Sequence, residues 1–183
     1  MLSEVQQKEK NAKEIIKLGI EMASKLLDIK EPNVSYLLIQ KATNQDVSAV
    51  YIPETNTVSY NKTWLDQSSE VDILAATFHE VRHAYQYEME KAMLKGKEVE
   101  ELALVKKWKE ERSLYQVPLI GKHPQVHYLN QEIEIDAVAF AHLVMRTMFG
   151  MKSHIPLSVK TKVQHRMKEI LSSNKTLQKV AKI

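Results

Sequence analysis

Four long stretches of this chain carry the three- and four-residue spacing of apolar side chains that is typical of amphipathic helices. The spacing predicts helices over residues 3–30, 69–95, 130–149 and 156–173, with a further helix over 97–115. In the first stretch the apolar positions stand among Lys and Glu; they are Ile15, Ile16, Leu18, Ile20, Met22, Leu26 and Leu27. We therefore expect a mainly helical protein.

One region between the first two helices has strand character instead. Residues 34–39, 47–52 and 57–60 are rich in Val, Ile and Tyr and are separated by short polar turns. They predict a small sheet over residues 34–60, immediately before the helix at 69–95. The fold class that follows is α+β, and the length of 183 residues predicts a single domain over 1–183.

The helix at 69–95 has recognisable signals at both ends. Ser68 and Ser69 precede Glu70 and Asp72, which is typical of a capping box, and Gly96 stands just past the last apolar position. Its bulky apolar residues fall on one side of the helical wheel, whereas Ala75 and Ala76 fall near its histidines. This distribution predicts a helix that packs by one face and forms the floor of a cleft with the other.

Composition limits the available chemistry. The chain has no cysteine, so a bound metal must be held by His, Asp or Glu. The first ten residues contain no apolar segment, and the apolar run at 137–141 is far too short to span a bilayer. We expect a cytoplasmic protein that does not associate with a membrane.

The formal net charge of +3 is unevenly distributed. Residues 150–183 contain eight Lys or Arg and one acid, a net charge of +7, so the preceding residues have a net charge of −4. This basic tail is consistent with contact to nucleic acid or another acidic partner, but a charge run alone is weak evidence, and we favour a solvated outer helix face.

The strongest chemical signal is the segment His79-Glu80-Val81-Arg82-His83. A spacing of four places both imidazoles one turn apart on the same helix face, where they can share one zinc ion. In zinc peptidases with this pattern, the intervening Glu takes a proton from the water that the metal activates. His79 and His83 are therefore predicted metal ligands, Glu80 is the predicted general base, and Arg82 is expected to be an exposed helix residue.

A catalytic zinc site needs a third protein ligand, which the catalytic helix itself does not supply because position 86 is Gln and position 89 is Met. The candidates on the helix at 130–149 are Glu132, Glu134 and Asp136. Glu134 falls within the arc of apolar side chains on one face of this helix. A carboxylate on such a buried face is costly unless it binds a metal or forms a salt bridge. Asp136 remains the alternative, as a ligand or as an acceptor that orients an imidazole.

The segment that precedes that helix contains two candidates for stabilising the oxyanion of a tetrahedral intermediate. His127 and the adjacent Tyr128 both offer a hydrogen-bond donor. Either side chain would have to lie near the scissile carbonyl to play this role.

The paired motifs resemble those of HExxH peptidases with a downstream Glu ligand, such as ImmA/IrrE-type and related minimal bacterial or phage peptidases. In these enzymes the later helix often carries Glu-x-x-Ala-(Asp/Asn)-x-Phe-Ala, to which the segment from Glu134 to Ala141 is similar, except that Val138 replaces the polar residue. The resemblance implies a zincin-like domain and Glu134 as the ligand. It further implies that residues 57–61 form an edge strand on which an extended peptide binds.

The expected function is zinc-dependent hydrolysis of peptide bonds in a protein or peptide substrate. Two alternatives remain open at this point. One is a catalytically inactive zinc-binding module for regulation or protein interaction, and the other is a DNA-associated protease that uses the basic tail.

Overall fold

The computed structural model describes residues 4–37, 47–114, 128–151 and 155–181. This part of the chain is mostly helical with one three-stranded sheet, which confirms the α+β class. The chain divides into two compact units, Met1–Ala84 and Tyr85–Ile183. The dividing point falls inside one continuous helix, and the single domain predicted over 1–183 stays a prediction.

The first unit begins with helix α1, Glu4–Leu27, three residues shorter than predicted at its C-terminal end. The helix ends there because Asp28 has a left-handed backbone (φ 53°), and the N–H of Ile29 donates to the carbonyl of Ser24. Pro32 lies further along the chain, so it is not the residue that ends the helix.

The sheet contains β1 (Asn33–Leu37), β2 (Ala49–Ile52) and β3 (Thr57–Asn61) in the order β1-β3-β2. A short 3-10 turn over Pro53–Thr55 joins β2 to β3 as an antiparallel pair, and β1 lies parallel to β3 on its other side. Both sides of β3 are thus occupied, and the expectation that residues 57–61 form an edge strand is wrong. Among the described strands, β1 and β2 are the edges.

The core of this unit lies where the sheet and α1 approach the long helix Glu70–Leu94, which contains Ile73 and Thr77. The Tyr60 hydroxyl donates to Thr77 Oγ1 at 2.9 Å, and Thr77 in turn donates to the carbonyl of Ile73 at 2.7 Å. On α1, a Cβ atom added to Gly19 would lie 2.8 Å from Cγ2 of Thr77. Thr77 is completely buried at this meeting point.

Two helices follow the sheet. The short α2, Lys62–Gln67, was not predicted; it is capped by Asn61, whose side chain accepts from the N–H of Thr63. The long α3, Glu70–Leu94, agrees closely with the prediction of 69–95.

The end signals of α3 form as predicted. Ser69 Oγ accepts from the N–H of Asp72, and the Asp72 carboxylate accepts from the Ser69 hydroxyl at 2.6 Å. Gly96 adopts φ +66° just beyond the last turn.

In the part of the second unit that the structure describes, the end of α3 is followed by α4 (Leu102–Ser113), α5 (Glu132–Phe149), α6 (Lys160–Ser173) and α7 (Lys175–Val180). Helix α5 is ended by Gly150 in the left-handed conformation, as expected. It packs against α4 and α6, and its start contributes Ile133 to a core with Val105 and Trp108. Helix α7 was not predicted. None of the described helices is both long and apolar enough to cross a membrane.

Candidate metal centre

The two histidines of α3 lie side by side, as their spacing predicts. Their Nε2 atoms are 3.0 Å apart, and the rings meet edge to face with centroids 4.7 Å apart. Two nitrogens bound to one tetrahedral zinc ion would be about 3.3 Å apart, given zinc–nitrogen bonds of about 2.05 Å. The separation of His79 and His83 is therefore close to what a shared ion requires.

Glu134 completes a group of three potential ligands. It lies in the first turn of α5 and is fully buried, and ligand atoms of His79, His83 and Glu134 all lie within 4.8 Å of one another. Two imidazoles and one carboxylate form a donor set that is common in catalytic zinc sites. The group could bind a metal ion, and it contains Glu134 rather than Asp136.

A glutamine that the sequence did not indicate as important holds the start of α5 against α3. Gln86 lies three residues after His83 and is completely buried. Its side-chain nitrogen donates to the carbonyl of Ile133 at 2.9 Å and to Asp136 Oδ2 at 2.7 Å. These two bonds are made to the residue before Glu134 and to the residue two positions after it. Nothing in the sequence distinguishes Gln86 from an exposed helix glutamine.

Asp136 is as buried as Glu134 but has a different environment. One carboxylate oxygen accepts from Gln86, and the other accepts from Arg166 Nε at 2.7 Å. Both oxygens are therefore used in bonds within the protein. The alternative in which Asp136 orients an imidazole stays a prediction.

Arg166 of α6 is the second residue that sequence reasoning missed, because it was counted only as part of the basic tail. It is 8% exposed and pairs with Asp136, Glu100 and Glu169. Burial lowers the pKa of Arg166, but attraction by Asp136 and Glu100 together raises the pKa above its ordinary value. The guanidinium is thus a permanent cation inside the second unit.

Glu80 is directed toward the sheet. The residue is 7% exposed, and its Oε2 accepts a hydrogen bond from the backbone N–H of Tyr51 at 2.8 Å. Just before β2, the carbonyl of Ser48 accepts from the N–H of Asn61 on β3, so by strand alternation the N–H and C=O of Tyr51 face away from β3. The Glu80 carboxylate therefore lies at the outer edge of β2.

The expectation that α3 packs by one face only is wrong for its middle. Val81, Arg82 and Ala84 are at most 2% exposed, and His83 is 7% exposed. A helix with neighbours on several sides has no single polar face, so the wheel pattern does not describe its environment. Near the histidines, the more open side contains Ala75, Ala76 and His79, which are half-buried.

Arg82 is also not the exposed residue expected from sequence, since it is 2% exposed. Of the two oxyanion candidates, His127 lies outside the described residues. Tyr128 is half-buried just before α5, and its carbonyl accepts from the backbone and side chain of Gln131. The role of the Tyr128 hydroxyl stays a prediction.

No protein-family model, curated protein or solved structure matches this chain. The resemblance to HExxH peptidases stays a prediction, and the function is argued from the site itself.

Proposed function

We propose that this protein is a zinc-dependent peptidase, with His79, His83 and Glu134 as the metal ligands and Glu80 as the general base. The observation that carries the proposal is the approach of these three ligand side chains to within 4.8 Å, with a buried carboxylate next to one of them in sequence. A purely structural zinc site would ordinarily use four protein ligands, whereas the three found among the described residues leave a position for water or substrate.

The donor set fits zinc better than magnesium or calcium, which prefer oxygen ligands. When bound, zinc would polarise a scissile carbonyl and lower the pKa of water. The protein's contribution is to hold two imidazoles on a rigid helix and to present a carboxylate from α5 beside them.

Glu80 is suited to both proton transfers of peptide hydrolysis. Its carboxylate takes a proton from the attacking water and later delivers the proton to the departing amine. The N–H of Tyr51 fixes the orientation of this carboxylate through a buried hydrogen bond. An oriented carboxylate loses less entropy on reaching the geometry for proton transfer.

Strand β2 offers a binding edge for a protein or peptide substrate. The N–H and C=O of Ala49 and the C=O of Tyr51 face away from β3, and the N–H of Tyr51, which faces the same way, is bonded to Glu80. The edge therefore lies next to Glu80. An extended peptide that pairs with such an edge places its main chain along the strand, and side-chain pockets then select the sequence. This role takes the place of the one expected for residues 57–61.

The test is the Glu80→Gln variant, compared with Glu88→Gln as a matched control on the exposed side of the same helix. Zinc content is measured by elemental analysis and hydrolysis with a fluorescently labelled unfolded protein. Glu80→Gln should retain zinc and lose hydrolysis by about 10²- to 10⁴-fold, whereas Glu88→Gln should retain both.

Two outcomes contradict the proposal. Full hydrolysis by Glu80→Gln would exclude Glu80 as the base. Zinc binding by the unaltered protein without cleavage of any unfolded protein would favour the inactive zinc-binding module.

A further inference from the structure

A buried polar network connects α5 with its neighbours in the second unit. We call it the Asp136 network; it consists of Gln86, Asp136, Arg166 and Glu100. Arg166 bonds to Asp136 and to Glu100, and Asp136 also accepts from Gln86. The hydroxyl of Tyr85 on α3 donates to Glu100 at 3.0 Å, so the network has two contacts to α3.

Stability alone is a weak reason for such a network. Removing two charges from water is costly, and well-packed apolar residues often stabilise a core equally well. Arg166 and Asp136 are 9% and 1% exposed in their side chains, so both bear most of this cost. Buried polar groups of this kind are better explained by the unique geometry they impose.

The geometry that this network imposes is that of the first turn of α5. Gln86 bonds to the carbonyl of Ile133 and to the carboxylate of Asp136, and Glu134 lies between these two residues in the chain. Arg166 holds the other oxygen of Asp136, which leaves Oδ2 directed at Gln86. Rotation of α5 about its axis would break both bonds from Gln86 and would turn Glu134 away.

We propose that Asp136 and Arg166 are positioning residues for the metal ligand Glu134, an inference that rests on the metal centre proposed above. They do not contact the ion; they fix the direction of the Glu134 carboxylate by fixing the first turn of α5 against α3. Part of the basic tail is then a structural support of the metal centre. Residues that orient metal ligands typically change metal affinity 10- to 100-fold when they are replaced.

The experiment compares two arginines of the second unit that form similar ion pairs. Arg166→Met breaks the pair with Asp136, and Arg112→Met breaks the pair of Arg112 with the buried carboxylate of Glu90. Zinc affinity is measured by competition with a chromophoric chelator, and stability by urea unfolding of the zinc-free protein. Asp136→Asn, which keeps the shape of the side chain, is the second variant of the network.

We expect Arg166→Met and Asp136→Asn to weaken zinc affinity by about 10- to 100-fold. Arg112→Met should lower stability without changing zinc affinity. If Arg166→Met does not fold, Arg166→Lys takes its place, because it keeps the charge but lacks the planar fork that bonds two carboxylates at once.

The possible negative results distinguish a failure of this inference from a failure of the proposed metal centre. Unchanged zinc affinity in both network variants, with normal binding by the unaltered protein, would overturn this inference and leave the metal centre intact. Equal loss of affinity in Arg112→Met would reduce the effect to general stability and would also overturn it. Absence of zinc binding by the unaltered protein would overturn both proposals.

Discussion

At the scale of single residues, the imidazole pair on α3 makes the metal centre testable by one substitution. His83 is 7% exposed, and its Nε2 lies 3.0 Å from that of His79. The His83→Ala variant removes a proposed ligand atom, so zinc affinity should fall by more than about 100-fold, beyond the effect of replacing a residue that only orients a ligand. Chelator competition measures the change.

The control for this prediction is His165→Ala, since the His165 side chain is 75% exposed on α6. It should bind zinc as tightly as the unaltered protein. If His83→Ala and His165→Ala bind zinc with the same affinity, zinc binds elsewhere on the chain.

Glu90 gives a prediction for the pH dependence of stability. Burial raises the pKa of Glu90 more than its pair with Arg112 lowers it. A carboxyl group with a raised pKa in the folded state stabilises the fold below its unfolded value of 4.5, and this contribution is lost as the pH rises through the folded pKa.

The comparison that isolates this effect is with Glu90→Gln, which cannot titrate. The free energy of unfolding of the unaltered protein, minus that of Glu90→Gln, should increase as the pH is lowered from 7 to 4. Urea titrations at a series of pH values measure this difference. A difference that decreases toward low pH would contradict the assignment.

At the scale of elements, the contact between α1 and α3 depends on a glycine. A methyl group at position 19 would lie 2.8 Å from Thr77 Cγ2 and 3.0 Å from Leu74. Gly19→Ala should therefore destabilise the protein by about 1–2 kcal/mol, because overpacking exceeds the gain in helix propensity. Urea unfolding measures the loss.

A second substitution tests the cause. Thr77→Ser removes Cγ2 but keeps the hydroxyl that bonds to Tyr60 and Ile73. The double variant Gly19→Ala/Thr77→Ser should be more stable than the sum of the two single effects predicts. Simple additivity would mean that Cγ2 is not the obstacle.

At the scale of the whole molecule, the basic tail has two separate parts. Arg166 is buried and paired with Asp136 and Glu100, which both lie outside the tail, so its charge is offset within the protein. Lys160, Lys162 and Lys168 are exposed on α6. Deleting the whole tail would therefore disturb the Asp136 network as well as the surface charge.

Replacing these three lysines with glutamine separates the two parts and lowers the formal net charge from +3 to 0. Zinc affinity should not change, and the free energy of unfolding should change by less than about 0.5 kcal/mol per site. The DNA-associated alternative predicts salt-dependent binding of duplex DNA that the triple variant loses. A fluorescence titration with labelled duplex at two salt concentrations measures this, and no binding by the unaltered protein contradicts that alternative.

The sequence by itself determined the features that depend on neighbours along the chain. The ends of α3, the left-handed glycines at positions 96 and 150, and the shared face of His79 and His83 all follow from local geometry. Glu134 was identifiable because a carboxylate within an apolar arc needs a partner wherever the helix packs. These signals require no knowledge of which elements meet.

Only the tertiary structure decided the features that depend on residues far apart in the sequence. The central position of β3 follows from the parallel pairing of β1, which no strand pattern specifies. The burial of Arg82 and Gln86 follows from how many neighbours α3 has. Arg166 lies 30 residues from Asp136, and a side-chain bond over that separation leaves no periodic trace in the sequence, because it depends on the packing of α6 against α5.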